Sequence, residues 1–333
     1  MNGQMQERSI KESIGAYKDI YSQLYSALKW KADKRTLMMI AAMYVTNSKE
    51  FHLKKYLEIA DYIKDNVGTF SYLKSTQRFS IAATLDTTTD DPKTSFHHFI
   101  AIYEKLIDNG FSRNAYSYIA AGALLKVEPM RIDEIVQKTG DIYKGMKGHH
   151  FFLTNSGDYP LAAILALCEK NSEEIVNKVE EYYQPLQNKG FSSGNDLQFL
   201  SHILALDSEH SPDAKAQQCM EIKELLHNAN HKTKRVYYPY IGMLSFLENK
   251  ESEINNLLMI NEDLNRDKLF KWNKEINFMM SALFLMSSMT AMGDAARTGL
   301  NISIEALIQA QQAAMTASMT AATVAASSSN GNT

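Results

Sequence analysis

Leu161-Ala162-Ala163-Ile164-Leu165-Ala166-Leu167 is a run of seven residues with no polar side chain. A helix that is apolar on every side is a buried helix, and the paired alanines let a neighbouring helix come close. The same arrangement, a large apolar residue followed by two small ones, recurs as Ile40-Ala41-Ala42, Ile81-Ala82-Ala83 and Ile119-Ala120-Ala121. Looser versions are Leu200-Ser201-His202, Tyr240-Ile241-Gly242 and Met280-Ser281-Ala282. The middle residues of successive copies lie 41, 38, 42, 39, 40 and 40 positions apart. A fixed period of that size marks stacked structural repeats.

A second marker keeps the same period. Phe70, Phe111, Phe151, Phe191 and Phe270 are spaced by 41, 40, 40 and 79 residues, and the skipped place falls near His231. In Asp108-Asn109-Gly110-Phe111 and Asn188-Lys189-Gly190-Phe191 the glycine suits the left-handed position just past a helix end. The phenylalanine that follows is expected to pack back on the last turn.

Each repeat reads as a short buried helix and a longer amphipathic one. In the second kind, Phe99, Ile102, Tyr103 and Leu106 fall on one face. Helix starts are marked by Asn171-Ser172 before Glu173-Glu174 and by Ser211-Pro212 before Asp213. The expected fold is therefore all-α, with about six helix hairpins of roughly 40 residues each. Such units bury their apolar faces only by stacking, as an open α-solenoid or a closed α/α ring. The chain divides into a leading amphipathic helix (1–35), a helical-repeat domain (36–290) and an Ala/Met/Ser/Thr-rich C-terminal helix and tail (291–333).

Composition agrees with that division. Only 15 Gly and 6 Pro in 333 residues are too few for the turns of a sandwich or barrel. A net charge of −3 gives no electrostatic case for nucleic acid. Two cysteines, Cys168 and Cys219, make neither a disulfide framework nor a cysteine zinc site, and each reads as a small buried residue. The opening residues are polar, without the apolar stretch of a secretory leader, so a cytoplasmic protein with reduced thiols is expected. The uncharged run from Ile276 to Met292 is shorter than the roughly 20 apolar residues a spanning helix needs.

From 276 to 333 only Asp294, Arg297 and Glu305 are charged. Ala310, Ala314, Ser318, Ala322 and Ala326 form a row of small residues along an expected helix over 301–326. That helix reads as a self-association or protein-docking element, or as a segment that folds onto the repeats or frays. Membrane contact is a less favoured use of it, because Gln309, Gln311 and Gln312 oppose deep burial in lipid.

Chemical signals are sparse. The chain has no phosphate loop, zinc-protease motif, calcium loop or nucleophile elbow. No catalytic residue, metal site or cofactor is assigned. The candidate ligand-binding rim is His149-His150 with Asp158-Tyr159, which gathers titrating and hydrogen-bonding groups within ten residues of a repeat junction. A plainer account makes Asp158 a helix cap and the histidines part of the repeat's aromatic stop.

Three stretches resemble a domain-of-unknown-function family of Gram-positive bacilli. They are Tyr103-Glu104-Lys105-Leu106 through Asn109-Gly110-Phe111, then Ala120-Ala121-Gly122-Ala123-Leu124-Leu125, then Phe151-Phe152-Leu153-Thr154 with Gly157-Asp158-Tyr159-Pro160-Leu161-Ala162. The resemblance covers nearly the whole chain, including the Ala/Thr/Ser-rich tail. It implies a bacterial cytoplasmic protein and brings no catalytic residues. The expected function is a protein-interaction or scaffold module. The alternatives are an enzyme or small-molecule binder, with Arg78, Asp158, Tyr159, Asp196, Tyr237 and Tyr238 at the mouth of an α/α ring, and a protein held at a membrane by its C-terminal segment.

Overall fold

The computed structural model describes residues 2–206 and 210–290, which form fourteen α-helices and no strand. A long helix, α1 (Asn2–Leu28), comes first and buries Tyr17, Tyr21, Leu24 and Leu28 along one face. Short helices then alternate with mostly longer ones. The short ones are α2 (Lys34–Thr46), α4 (Gln77–Thr88), α6 (Ala115–Ala123), α8 (Tyr159–Ala166), α10 (Asn195–Leu204) and α12 (Tyr238–Leu244). Between them run α3 (Leu53–Asp65), α5 (Pro92–Asp108), α7 (Ile132–His149), α9 (Ser172–Asn188), α11 (Pro212–Asn228) and α13 (Lys250–Arg266), and α14 (Lys274–Thr290) ends the described chain.

The helices belong to two compact units. One holds residues 15–144 and 154–169; the other takes in residues 2–14, 145–153, 170–206 and 210–290. In the first, α2 packs on α4, α4 on α6 and α6 on α8, while α3 packs on α5. In the second, α10 packs on α12 and α12 on α14, while α9 packs on α11 and α11 on α13. Each unit thus has a layer of apolar helices and a layer of amphipathic ones. Ala82, Ala120 and Ala162 are fully buried in the apolar layer, as their large apolar neighbours in sequence require.

Local chemistry sets the helix ends. Asp33, Asp91, Asn114 and Ser211 each accept backbone N–H bonds at a helix start. Asn171 forms a capping box with Glu174. At the other ends, Lys138 reaches the carbonyl of Cys168 and Lys215 reaches that of Ser245 at 3.2 Å, where a cation suits the carbonyl-rich end of a helix. Cys219 is buried and its thiol is pushed up to about 12 by that burial; Cys168 is only partly buried.

Two expectations are corrected by the structure, and a third falls outside the described residues. Asp158 precedes α8 but makes no cap to it; it closes a capping box with Asn155 around the short turn Ser156–Asp158. Phe70 and Phe151 do not pack back on their helices but are 100% and 63% exposed. The C-terminal helix and tail, from 291 onward, lie outside the described residues. No helix among the described residues is long and apolar enough to cross a membrane.

Candidate functional site

The aromatic marker is one half of a latch between neighbouring hairpins. Phe111 sits edge-on to Tyr159 at 4.5 Å between ring centres, and the next residue, Ser112, donates its backbone N–H to the Tyr159 hydroxyl at 3.4 Å. Phe191 and Ser192 repeat this on Tyr238, at 4.8 Å and 3.2 Å. Both phenylalanines are buried, which is worth roughly 1.5–3 kcal/mol each, with an edge-on pair adding about 0.5–1.5 kcal/mol.

Local backbone geometry aims the ring. Gly110 and Gly190 have φ of 93° and 81°. Each turn is closed by two bonds, Gly110 N–H to Ile107 and Phe111 N–H to Leu106, and the same pair at Gly190 and Phe191. This Schellman arrangement places the third residue past the helix end against the last turn. In the fifth copy Asn230 takes φ of 58° and His231 fills the ring position, stacked on Phe278 at 4.8 Å.

The first copy has the partner but not the closed latch. Ser71 Oγ lies 3.2 Å from the Tyr118 hydroxyl, across 47 residues, the separation that also joins Ser112 and Tyr159. After α3, however, the third residue is Gly68, and Phe70 comes two residues later. A Cβ added at Gly68 would meet open space. A cleft of about 440 Å³ opens here, between segment 66–72 and Ile100, Tyr103, Glu104, Arg113 and Tyr118. Its floor is Tyr103 and Tyr118, with parallel rings at 3.9 Å. Burial and the neighbouring Tyr118 hydroxyl hold the Tyr103 phenol protonated well above its usual range. On the edge, Arg113 grips Glu104 through two bonds of 3.0 and 2.8 Å. Aromatic faces with a few oriented polar groups are the make-up of a recognition site.

Of the rim residues expected from sequence, His149 is exposed. His150 accounts for the third copy: its Nε2 is 2.9 Å from Glu180 Oε2 and its ring lies 4.5 Å from that of Tyr183. The histidine takes the inward position there and Phe151 faces out. Behind it His202 is buried, its Nδ1 has no hydrogen-bond partner among the described residues, and burial, with the charge of His150, pushes its imidazole down to about 3. Tyr159 is buried as a latch partner. Asp158 accepts the Asn155 N–H at 2.9 Å, and burial pushes its carboxyl up to about 6. His149 and His150 belong to one compact unit and Asp158 and Tyr159 to the other. Among the described residues no group of three His, Cys, Asp or Glu side chains is placed to hold a metal ion.

The cleft residues were not singled out as a site from sequence. One signal was readable: Val67-Gly68-Thr69-Phe70 breaks the Gly-Phe spacing of the other copies. The family described as "Protein of unknown function (DUF4003)" matches residues 20–313. A Bacillus subtilis (strain 168) relative, "Uncharacterized protein YeaA", is 36% identical over 332 residues, covering 98% of this chain and 100% of the relative. No solved structure matches the chain.

Proposed function

The chain belongs to the DUF4003 family, and from that premise we propose that it is a helical-repeat interaction module, a scaffold that holds another polypeptide. The observation that carries this reading is the open first latch: a cleft with an aromatic floor beside a fully exposed Phe70. Phe70 and the partly exposed Tyr72 stand together along this cleft, and an apolar patch at a concave place marks an interaction surface. The recurrence of hairpins supports an α-solenoid or closed α/α ring as the framework. A cytoplasmic setting suits the reading, and the C-terminal segment is a second contact, with a protein partner or another copy of the chain. The test is a photo-crosslinking side chain at position 70, with position 272, the exposed Trp272, as control. A discrete adduct at 70 and none at 272 is expected; equal, diffuse labelling at both rejects the reading.

A small-molecule binder or enzyme is the second reading, favoured by one observation. Asp158 carries a carboxyl pushed up to about 6, next in sequence to buried Tyr159, and perturbed carboxyls gather at ligand sites. His149 and His150 remain candidates for the same role. A panel of small metabolites should then raise the melting temperature of the wild type and not of Asp158→Asn. No ligand-dependent shift in either protein rejects it.

A further inference from the structure

We propose that the cleft beside Phe70 recognises a phenylalanine on an extended segment of another polypeptide, bound as this chain binds its own Phe111-Ser112 and Phe191-Ser192. The proposal rests on the interaction reading above and names the chemistry of the partner. The template is internal. Twice the chain lays a phenylalanine edge-on to a tyrosine and lets the following backbone N–H donate to that tyrosine's hydroxyl. The first copy keeps a tyrosine on the receiving side, Tyr118 packed on Tyr103, and has Gly68 at the third residue past the helix, where the second, fourth and fifth copies carry a ring.

Phe70 is held away from this place by its own neighbour. Ser71 donates its N–H to the Gly68 carbonyl, accepts from Leu73 N–H as cap of the turn Tyr72–Lys74, and stands against the Tyr118 hydroxyl. Those bonds fix residue 71 and leave the ring of residue 70 outward. The Tyr118 hydroxyl already meets Ser71 Oγ and the Tyr103 hydroxyl, and with one donor and two lone pairs it keeps one place for an incoming N–H. The charges on the edge cancel, since Arg113 and Glu104 are paired through both oxygens, so the cleft matches an uncharged ring. Its volume lies in the range of built ligand sites.

The probe is a capped synthetic peptide copying residues 108–113, Asp-Asn-Gly-Phe-Ser-Arg, titrated against the full chain by NMR. Saturable shifts are expected, at least tenfold weaker for the peptide with alanine in place of phenylalanine. Gly68→Phe adds a ring at a position that lines the cleft, with open space to receive it, and should abolish peptide binding while the fold is kept. Tyr118→Ala should do the same, checked by its helical circular dichroism. Equal affinity of the two peptides, no saturable shift at all, or undiminished binding to Gly68→Phe overturns the proposal. So does binding seen only in Phe70→Ala, which makes the cleft a seat for Phe70 itself. A concentration-dependent dimer lost in both Phe70→Ala and Gly68→Phe assigns the cleft to a second copy and likewise overturns it. If the peptide fails while the discrete adduct at position 70 persists, the ring chemistry is wrong and the interaction reading stands.

Discussion

The Tyr44 hydroxyl donates to the buried carboxylate of Asp86 at 2.7 Å, tying α2 to α4 across 42 residues. Lys55, from α3, reaches the other oxygen of Asp86 at 2.6 Å. Three helices of the first unit therefore meet on one carboxylate. Tyr44→Phe removes a hydrogen bond to a charged group and should cost about 1.5–3 kcal/mol. Lys55→Met leaves the buried Asp86 carboxylate without its cation and should cost more, about 3–5 kcal/mol. Urea unfolding of the two variants checks the order; a larger loss for Tyr44→Phe contradicts this account.

His202 makes stability fall in acid. Its folded-state value is about 3 against an ordinary 6.5, so the unfolded chain takes up the proton first. Its contribution is intact above pH 6.5 and is lost as pH falls from 6.5 towards 3, at up to about 1.4 kcal/mol per unit. The difference in stability between wild type and His202→Gln should shift in favour of the variant over that range. A difference independent of pH shows that the imidazole protonates freely in the fold.

Asp158 acts with the opposite sign. Its folded carboxyl titrates at about 6 against an ordinary 3.8, so the folded chain holds the proton longer. Its stabilising contribution is complete below pH 3.8 and is lost as pH rises to about 6. Asp158→Asn should therefore gain on the wild type between pH 4 and 6 and keep that gain at pH 7. Melting temperatures at pH 3.5, 5 and 7 give the comparison; parallel curves count against it.

Ala162 lies at the centre of α8 with no exposed surface. Ala162→Leu inserts three carbons into a filled space and should cost about 1–3 kcal/mol. An unchanged denaturation midpoint would place residue 162 at a loose contact.

The helices were legible because their signals are local and repeated. Ala82, Ala120 and Ala162 announce the buried layer by their own neighbours, and Asn171 and Ser211 are caps wherever they precede such a pattern. The latch was half legible. Phe111 and Phe191 follow a left-handed glycine that fixes them within a few residues, but Tyr159 and Tyr238 lie 46 to 47 residues from the serines they meet. No local pattern specifies such a partner. Phe70 has the right period, yet two added residues after α3 turn it outward, and the period alone does not register them. His150 and Asp158 are near in sequence, but each is engaged within its own unit, by Glu180 and by Asn155.

The open first latch also sets where the molecule loosens. A closed latch couples one hairpin to the next, so amides on both sides exchange with solvent only through a shared opening. Segment 66–72 lacks the inserted ring and the paired turn bonds that hold the segments after α5 and α9. In deuterated water the amides of 66–72 and the last turn of α3 should therefore exchange ahead of those at 109–112 and 189–192, so this junction opens before those two. A bound ligand at the cleft would erase that lead, and the exchange clock at these few amides would register occupancy before any change in the rest of the fold.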